Sequence, residues 1–345
     1  MAGLYALHPR PLTVLFGEIE SFALGSREVS VGTGGGVLER ENASGFRFYA
    51  HQYYDAFGKK KERYVSGPVG GADAEKAVED LRTRIEELRQ ITPSLRLLGR
   101  EGFQIADART YAAVAAMHNG GLFRAGATLI GSHAYGVLLN RLGIRAASYE
   151  TEDIDIARGR PMEFAGTSRR DILEVLQPSG IEFIEVPQLD VREPATSWKQ
   201  KGRSIFRVDL LAPARGRDIG SVAVPELNAH ATTLPFLGYL LAETQMTALI
   251  AREGACAIRV PLPERFAIHK LLVSAMRPGR DAKLLKDRDQ AAVLCAVLGD
   301  QHPGALASAV AEVPRLAMKQ LREGIAAVRD VLEERYPRAW EELGG

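Results

Sequence analysis

The chain has 345 residues, 46% hydrophobic and 25% charged, an ordinary balance for a globular protein with a core to bury. A formal net charge of +1 gives no overall field toward nucleic acid or membrane, so any such contact must come from a local patch. The two cysteines, Cys256 and Cys295, fit neither a zinc spacing nor a disulfide framework and are expected to be buried free thiols.

In chain order, the first 25 residues mix Pro, His, Arg and Glu with apolar residues and lack the layout of a signal peptide. No apolar run approaches the ~20 residues of a membrane span, so a cytoplasmic protein without membrane contact is expected. Residues 1–70 read as irregular with strands: 46–54 is rich in β-formers, 55–58 supplies a turn, and the chain returns through 63–65 as a hairpin. Lys59, Lys60, Lys61 and Arg63, with Tyr53, Tyr54, Phe57 and Tyr64 around them, have the make-up of a nucleic-acid contact. A solvated hairpin tip is the simpler reading, because lysines commonly blunt exposed strand edges. Gly32-Thr33-Gly34-Gly35-Gly36 follows a strand-like stretch but lacks the Gly-Lys-Ser/Thr of a phosphate loop, and reads as a flexible turn. Residues 66–71 read as a linker.

From 72 to 98 the pattern is helical, with Ala77, Leu81, Ile85 and Leu88 at helical spacing. A second helix over 107–118 stops at Asn119-Gly120-Gly121. The centre alternates: strand 127–130, helix 133–142 stopped by Gly143, strand 152–157, helix 168–176 stopped by Pro178, and strand 181–186. Hairpins over 195–211 and 247–260 follow, and the chain is helical from 263 onward. The expected fold class is α/β (α+β), a short mixed β-sheet core with a helical C-terminal domain and an N-terminal strand and helix extension. The expected divisions are 1–120, 121–262 and 263–345.

Chemistry concentrates in the centre. Gly131-Ser132 closes an apolar strand at the start of a helix, a natural phosphate seat. Asp153-Ile154-Asp155-Ile156 alternates on a strand, so both carboxylates share one face while the isoleucines face a core. Side-by-side carboxylates repel unless a cation lies between them, and hard oxygens suit Mg²⁺ that also holds phosphate. Asp209 is the one acid of an otherwise apolar strand, costly there unless it is paired or metal-bound, and is the candidate third ligand.

These residues resemble the DNA polymerase β-type nucleotidyltransferase superfamily, marked by a Gly-Ser turn, an Asp-x-Asp strand and a later single-Asp strand. Over about 125–212, Gly131-Ser132, Asp153/Asp155 and Asp209 occur in that order, although the gap through 145–151 is longer than usual. Further on, Lys270, Ser274 and Arg277 share a helical face, followed by Arg280, Lys283 and Lys286-Asp287. This stretch resembles the Lys-bearing helix and Lys-Asp segment of abortive-infection and toxin-type nucleotidyltransferases. The whole is more closely similar to a bacterial family named only for its nucleotidyltransferase fold.

The resemblance implies transfer of a nucleoside monophosphate from an NTP, with pyrophosphate released. Asp153, Asp155 and Asp209 would be the catalytic and metal-binding residues for Mg²⁺ or Mn²⁺, and Gly131, Ser132, Lys270, Arg277 and Lys286 the nucleotide-binding ones. The acceptor is left open among RNA (tRNA for a toxin-like enzyme), protein and a small molecule. A non-catalytic nucleotide-binding or interaction module is the alternative. Lys270 reads equally as a phosphate ligand or a snorkelling surface lysine, and His133 and Tyr135 as nucleotide contacts or packing. His269 reads as a structural neighbour, and Lys286, Asp287 and Asp289 as an exposed charge network.

Overall fold

The strand that carries two alternating carboxylates is buried on its other face, and that burial fixes where the sheet lies. In the computed structural model, which describes residues 3–147, 151–166, 169–188, 190, 193–216, 218–277 and 282–345, Ile154 and Ile156 are fully buried in Asp153–Arg158, as are Val208 and Leu210 in Arg207–Pro213. These two strands run parallel at the middle of a mixed sheet, seven-stranded among the described residues. Ala127–Ile130 pairs antiparallel on one side of them. On the other side, Arg207–Pro213 pairs antiparallel with Ser197–Gln200 at its start and parallel with Ala229–Leu234 at its end. Phe183–Glu185 and Gly220–Val224 form the outer edges. A separate hairpin, Thr244–Ile250 with Ala255–Pro261, and a three-stranded sheet of Gly36–Glu41, Arg47–Tyr54 and Lys60–Ser66 complete a mixed α+β architecture.

Helices cover the apolar face. Ala108–Asn119, capped by Asp107 through bonds from the Arg109 and Thr110 amides (2.9 and 3.2 Å), buries nearly its whole length in the main core. The C-terminal helices Pro263–Met276 and Ala282–Gln301 pack on each other and join the same core through Leu271, Leu272, Leu294 and Leu298. Cys256 and Cys295 are buried free thiols, as expected. No helix among the described residues is long and apolar enough to cross a membrane.

The sequence expectations need correction in four places. The N-terminus is not merely irregular with strands: Arg10–Gly25 is a helix, entered through Pro11 in its first turn. Its buried Phe16, Ile19 and Ala23 meet Leu95 and Leu98 of the helix Ala72–Arg100, and Ala248 and Ile250 of the hairpin. The spacing 12, 16, 19, 23 carried that signal, masked by Gly17 and the β-branched Thr13 and Val14. The glycine run at 32–36 is not an open loop but is packed on the neighbouring strand. Gly35 has φ +62°, a Cβ there would stand 1.9 Å from the Gln52 carbonyl oxygen, and the Thr33 amide bonds the Tyr54 carbonyl, so the run lies tight against Arg47–Tyr54. The 66–71 connection is likewise packed, with the Val69 amide on the Arg47 carbonyl and the Gly70 amide on Glu75 (both 3.0 Å). The helix expected over 168–176 begins at Ile172, capped by Asp171, and Pro178 sits within a following 3₁₀ turn rather than after the stop. Ser168 lies outside the described residues.

Phe16 is 4% exposed and stacks on Phe103 with ring centroids 5.7 Å apart. Phe16→Ala is expected to cost about 3–5 kcal/mol in urea unfolding. Unchanged stability would mean that this helix is not part of the cooperative core.

Candidate functional site

Ala127–Ile130 is buried along its length, and the chain must then turn at once into the helix Gly131–Arg141. Gly131 makes that turn with φ +68°, and a Cβ on it would lie 2.0 Å from Asp155 Oδ2. Glycine is therefore required twice, by the left-handed backbone and by the carboxylate occupying the space where a side chain would be. No side chain caps the helix start, so its first-turn amides remain available to an anion beside Ser132.

Parallel register sets Asp209 beside Asp155 and Arg207 beside Asp153, all on the face opposite the buried isoleucines. The three expected carboxylates are thus brought together. Burial pushes Asp155 up to about 6, reinforced by Asp209 and Asp153 and opposed by Lys270 and Arg207. Asp209 is also raised, first by burial, against the pull of the Ser197 hydroxyl and Arg207. Its Oδ1 is buried with no hydrogen-bond partner.

Arg207 was not singled out by the sequence, yet it lies among these acids. Its Nε is 3.0 Å from Asp209 Oδ2 and 3.1 Å from Asp153 Oδ1. The signal was present: an arginine two residues before Asp209 on the same strand shares its face. Among the described residues, no group of three or more His, Cys, Asp or Glu side chains is drawn together as a metal cage. The positive charge between Asp153 and Asp209 is the Arg207 guanidinium.

The cations from the C-terminal helices are arranged differently from the expected open face. Lys270 Nζ lies 2.6 Å from Asp287 Oδ1, and Arg277 Nε 2.8 Å from Asp287 Oδ2. Asp287, 3% exposed, is thus the buried centre of a clamp and not a member of an exposed charge network. Lys270 is correspondingly no snorkelling surface residue, for its side chain is 12% exposed. Ser274 turns inward to the Leu271 carbonyl. Lys286 is lowered, chiefly by burial and then by Lys270, against Asp287, Asp155 and Asp153, which places it near the carboxylates. Arg280 and residues 148–150 of the long connection lie outside the described residues.

Of these groups, Asp153 and Lys286 border a cleft of ≈ 780 Å³ that also includes Ser132 and His133, with Arg109 at its wall. Arg109 holds both oxygens of Glu152 at 3.0 Å and stacks over Phe206, another feature the sequence reading missed. A smaller cleft of ≈ 290 Å³, between the three-stranded sheet and Arg170, is lined by none of these carboxylates. His133 and Tyr135 both line the larger cleft, and Tyr135, 1% exposed, also stacks on Phe266. Burial pushes His133 down to about 4 and His269 to about 3, and the Nε2 of each is buried without a partner.

A family model described as Nucleotidyltransferase matches residues 108–314, more than half of the chain. No curated protein matches it. Among solved structures, an antigenic nucleotidyltransferase-like protein from Paracoccidioides brasiliensis is similar at 14% identity and a TM-score of 0.35, over 68% of this chain and 91% of that one.

Two outcomes are expected. Gly131→Ala should destabilise the fold by about 1–2 kcal/mol from backbone strain alone, and by more through the displaced Asp155 carboxylate, read by denaturant unfolding; a neutral effect would contradict the close contact. His269 takes up a proton in the unfolded chain near its ordinary 6.5 but only near 3 when folded. Its contribution to stability is therefore complete above pH 6.5 and is lost as pH falls toward 3, by about 1.4 kcal/mol per unit. His269→Leu should flatten that part of the stability profile, and an unchanged slope would count against the buried neutral imidazole.

Proposed function

Because this chain belongs to the nucleotidyltransferase family, we propose that it transfers a nucleoside monophosphate from an NTP to an acceptor hydroxyl or phosphate, with pyrophosphate leaving. The observation that carries this reading is the in-register pairing of Asp155 with Asp209 beside Gly131, at the foot of a helix whose first amides lack a side-chain cap.

The residues fit a divalent cation. The donors are hard carboxylate oxygens, one of them buried without a partner, and burial followed by their crowding lifts Asp155. Mg²⁺ or Mn²⁺ bound by Asp153, Asp155 and Asp209 would neutralise phosphate charge and make an acceptor hydroxyl easier to ionise. Arg207 has to leave its bridging position for those oxygens to be used.

The chain's own groups have distinct tasks. The Gly131 and Ser132 amides, at the positive end of their helix, hold phosphate oxygens. Lys270, fixed by Asp287, keeps a positive charge near Asp155, and Lys286 brings another to the cleft. Arg277 is engaged by the same Asp287 and supports that clamp. Asp209, its carboxyl raised by burial, orients the acceptor and accepts its proton. The acceptor oxygen bonds to the α-phosphorus as the bond to pyrophosphate breaks, so catalysis is chiefly positioning and charge neutralisation.

The test is incubation with each α-labelled NTP and Mg²⁺ or Mn²⁺, offering RNA including tRNA, protein, or small-molecule extract as acceptor. Label in one fraction identifies the acceptor, and label in tRNA supports the toxin-like variant. Asp153→Asn, Asp155→Asn and Asp209→Asn are each expected to reduce transfer to background while leaving the fold intact by circular dichroism. Undiminished transfer by these variants would sink the assignment. Nucleotide binding without transfer to any acceptor would favour the non-catalytic module.

A further inference from the structure

A second concave surface adjoins the carboxylate cleft, and its chemistry is of one sign. It encloses ≈ 720 Å³ and is lined by Pro93, Arg96, Gly99, Arg100, Ile105 and Arg252, three arginines and, among these lining residues, no acid. All three arginines are exposed, and none of their guanidinium groups makes a hydrogen bond or ion pair among the described residues. Ile105 also lines the larger cleft, so the two spaces share a wall. The larger cleft is also lined by Lys283, Lys286 and Arg109, the last paired with Glu152, beside the acids Asp107 and Asp153. The one-sign surface is thus the outer groove, on a chain whose net charge is only +1.

The groove is also held rigid. Arg96 and Arg100 lie about one turn (~5.4 Å) apart on the last part of Ala72–Arg100. The Phe103 amide closes back on the Leu98 carbonyl at 3.0 Å, tying the next segment to the helix end. The Ala106 amide then bonds the Ile250 carbonyl at 2.9 Å, and Ala106 bridges Ala251, the residue before Arg252. Three unpaired guanidinium groups are therefore presented by backbone elements tied to one another. Planar guanidinium forks match phosphate oxygens. A small acceptor contained within the cleft would have no use for positive charge in a separate outer groove. A polymer with repeated phosphates and a terminal hydroxyl uses both spaces.

We propose that the Arg96, Arg100 and Arg252 groove binds the phosphodiester backbone of a single-stranded nucleic acid and leads its end into the carboxylate cleft as the acceptor. This rests on the nucleotidyl-transfer reading for the acceptor role, while backbone binding stands independently.

The experiment measures binding of fluorescein-labelled single-stranded RNA, and of DNA of the same sequence, to the full chain by fluorescence anisotropy at several salt concentrations. Wild type is compared with the triple variant Arg96→Gln/Arg100→Gln/Arg252→Gln and with each single variant, all checked for folding by circular dichroism. Three phosphate contacts predict that log Kd rises with log salt with a slope of about 2. The triple variant should lose at least about tenfold in affinity at low salt, with a slope close to zero, and each single variant should lose part of both. The tighter-bound polymer assigns the source as RNA or DNA. A triple variant that binds as wild type does, or a wild-type slope near zero, would overturn the proposal, as would equal competition by poly-glutamate, which would assign the groove to acidic protein. Nucleotide transfer is assayed separately: loss of binding in the variants with no transfer by wild type retains the groove and rejects the catalytic reading. Transfer by wild type with arginine-independent binding does the reverse.

Discussion

Negative charge crowded onto one face of two parallel strands is the constraint around which the rest of this molecule is arranged. The register that buries Ile154 and Ile156 beside Val208 and Leu210 necessarily places Asp155 alongside Asp209 on the opposite face. Burial raises the proton affinity of Asp155, and the like charges of Asp209 and Asp153 raise it further. Arg207 supplies the nearest compensation. Gly131 matters for the same reason, since the turn from strand to helix has to pass a carboxylate without contributing a side chain.

Positive charge reaches this face from the opposite end of the sequence. Lys270 and Arg277 arrive on or just after one C-terminal helix, and Asp287 on the next fastens both. A buried carboxylate with two cations avoids the penalty of an isolated charge, and it removes the freedom that a long lysine side chain would otherwise have. The helices carrying these groups share the main core with the sheet, so the distance between acids and bases is set by packing and not by a mobile linker.

The segment before residue 108 lies outside the family match but not outside the structure's chemistry. Arg10–Gly25 and the end of Ala72–Arg100 form a smaller core with the hairpin at 244–261. That packing fixes the wall shared by the carboxylate cleft and the arginine-lined groove. The family match covers residues 108–314, and the helices before it pack against the hairpin that follows the sheet.

The sequence by itself determined the alternation of Asp153 through Ile156, the Gly-Ser turn, the lone Asp209 and both later hairpins, because period-two burial and turn chemistry act between residues close in the chain. It also carried weaker signals for Arg207, two residues before Asp209 on one strand, and for the helix Arg10–Gly25, masked by Gly17 and the β-branched Thr13 and Val14. Only the tertiary structure decided that Asp209 pairs with Asp155 in register, that Asp287 draws Lys270 and Arg277 together, and that Arg252 joins Arg96 and Arg100 at one groove. Those contacts join residues distant in sequence, and neither local propensity nor hydrophobic period records which distant partner a side chain will meet. Their geometry comes from packing the two apolar faces, which brings the polar residues of separate segments together.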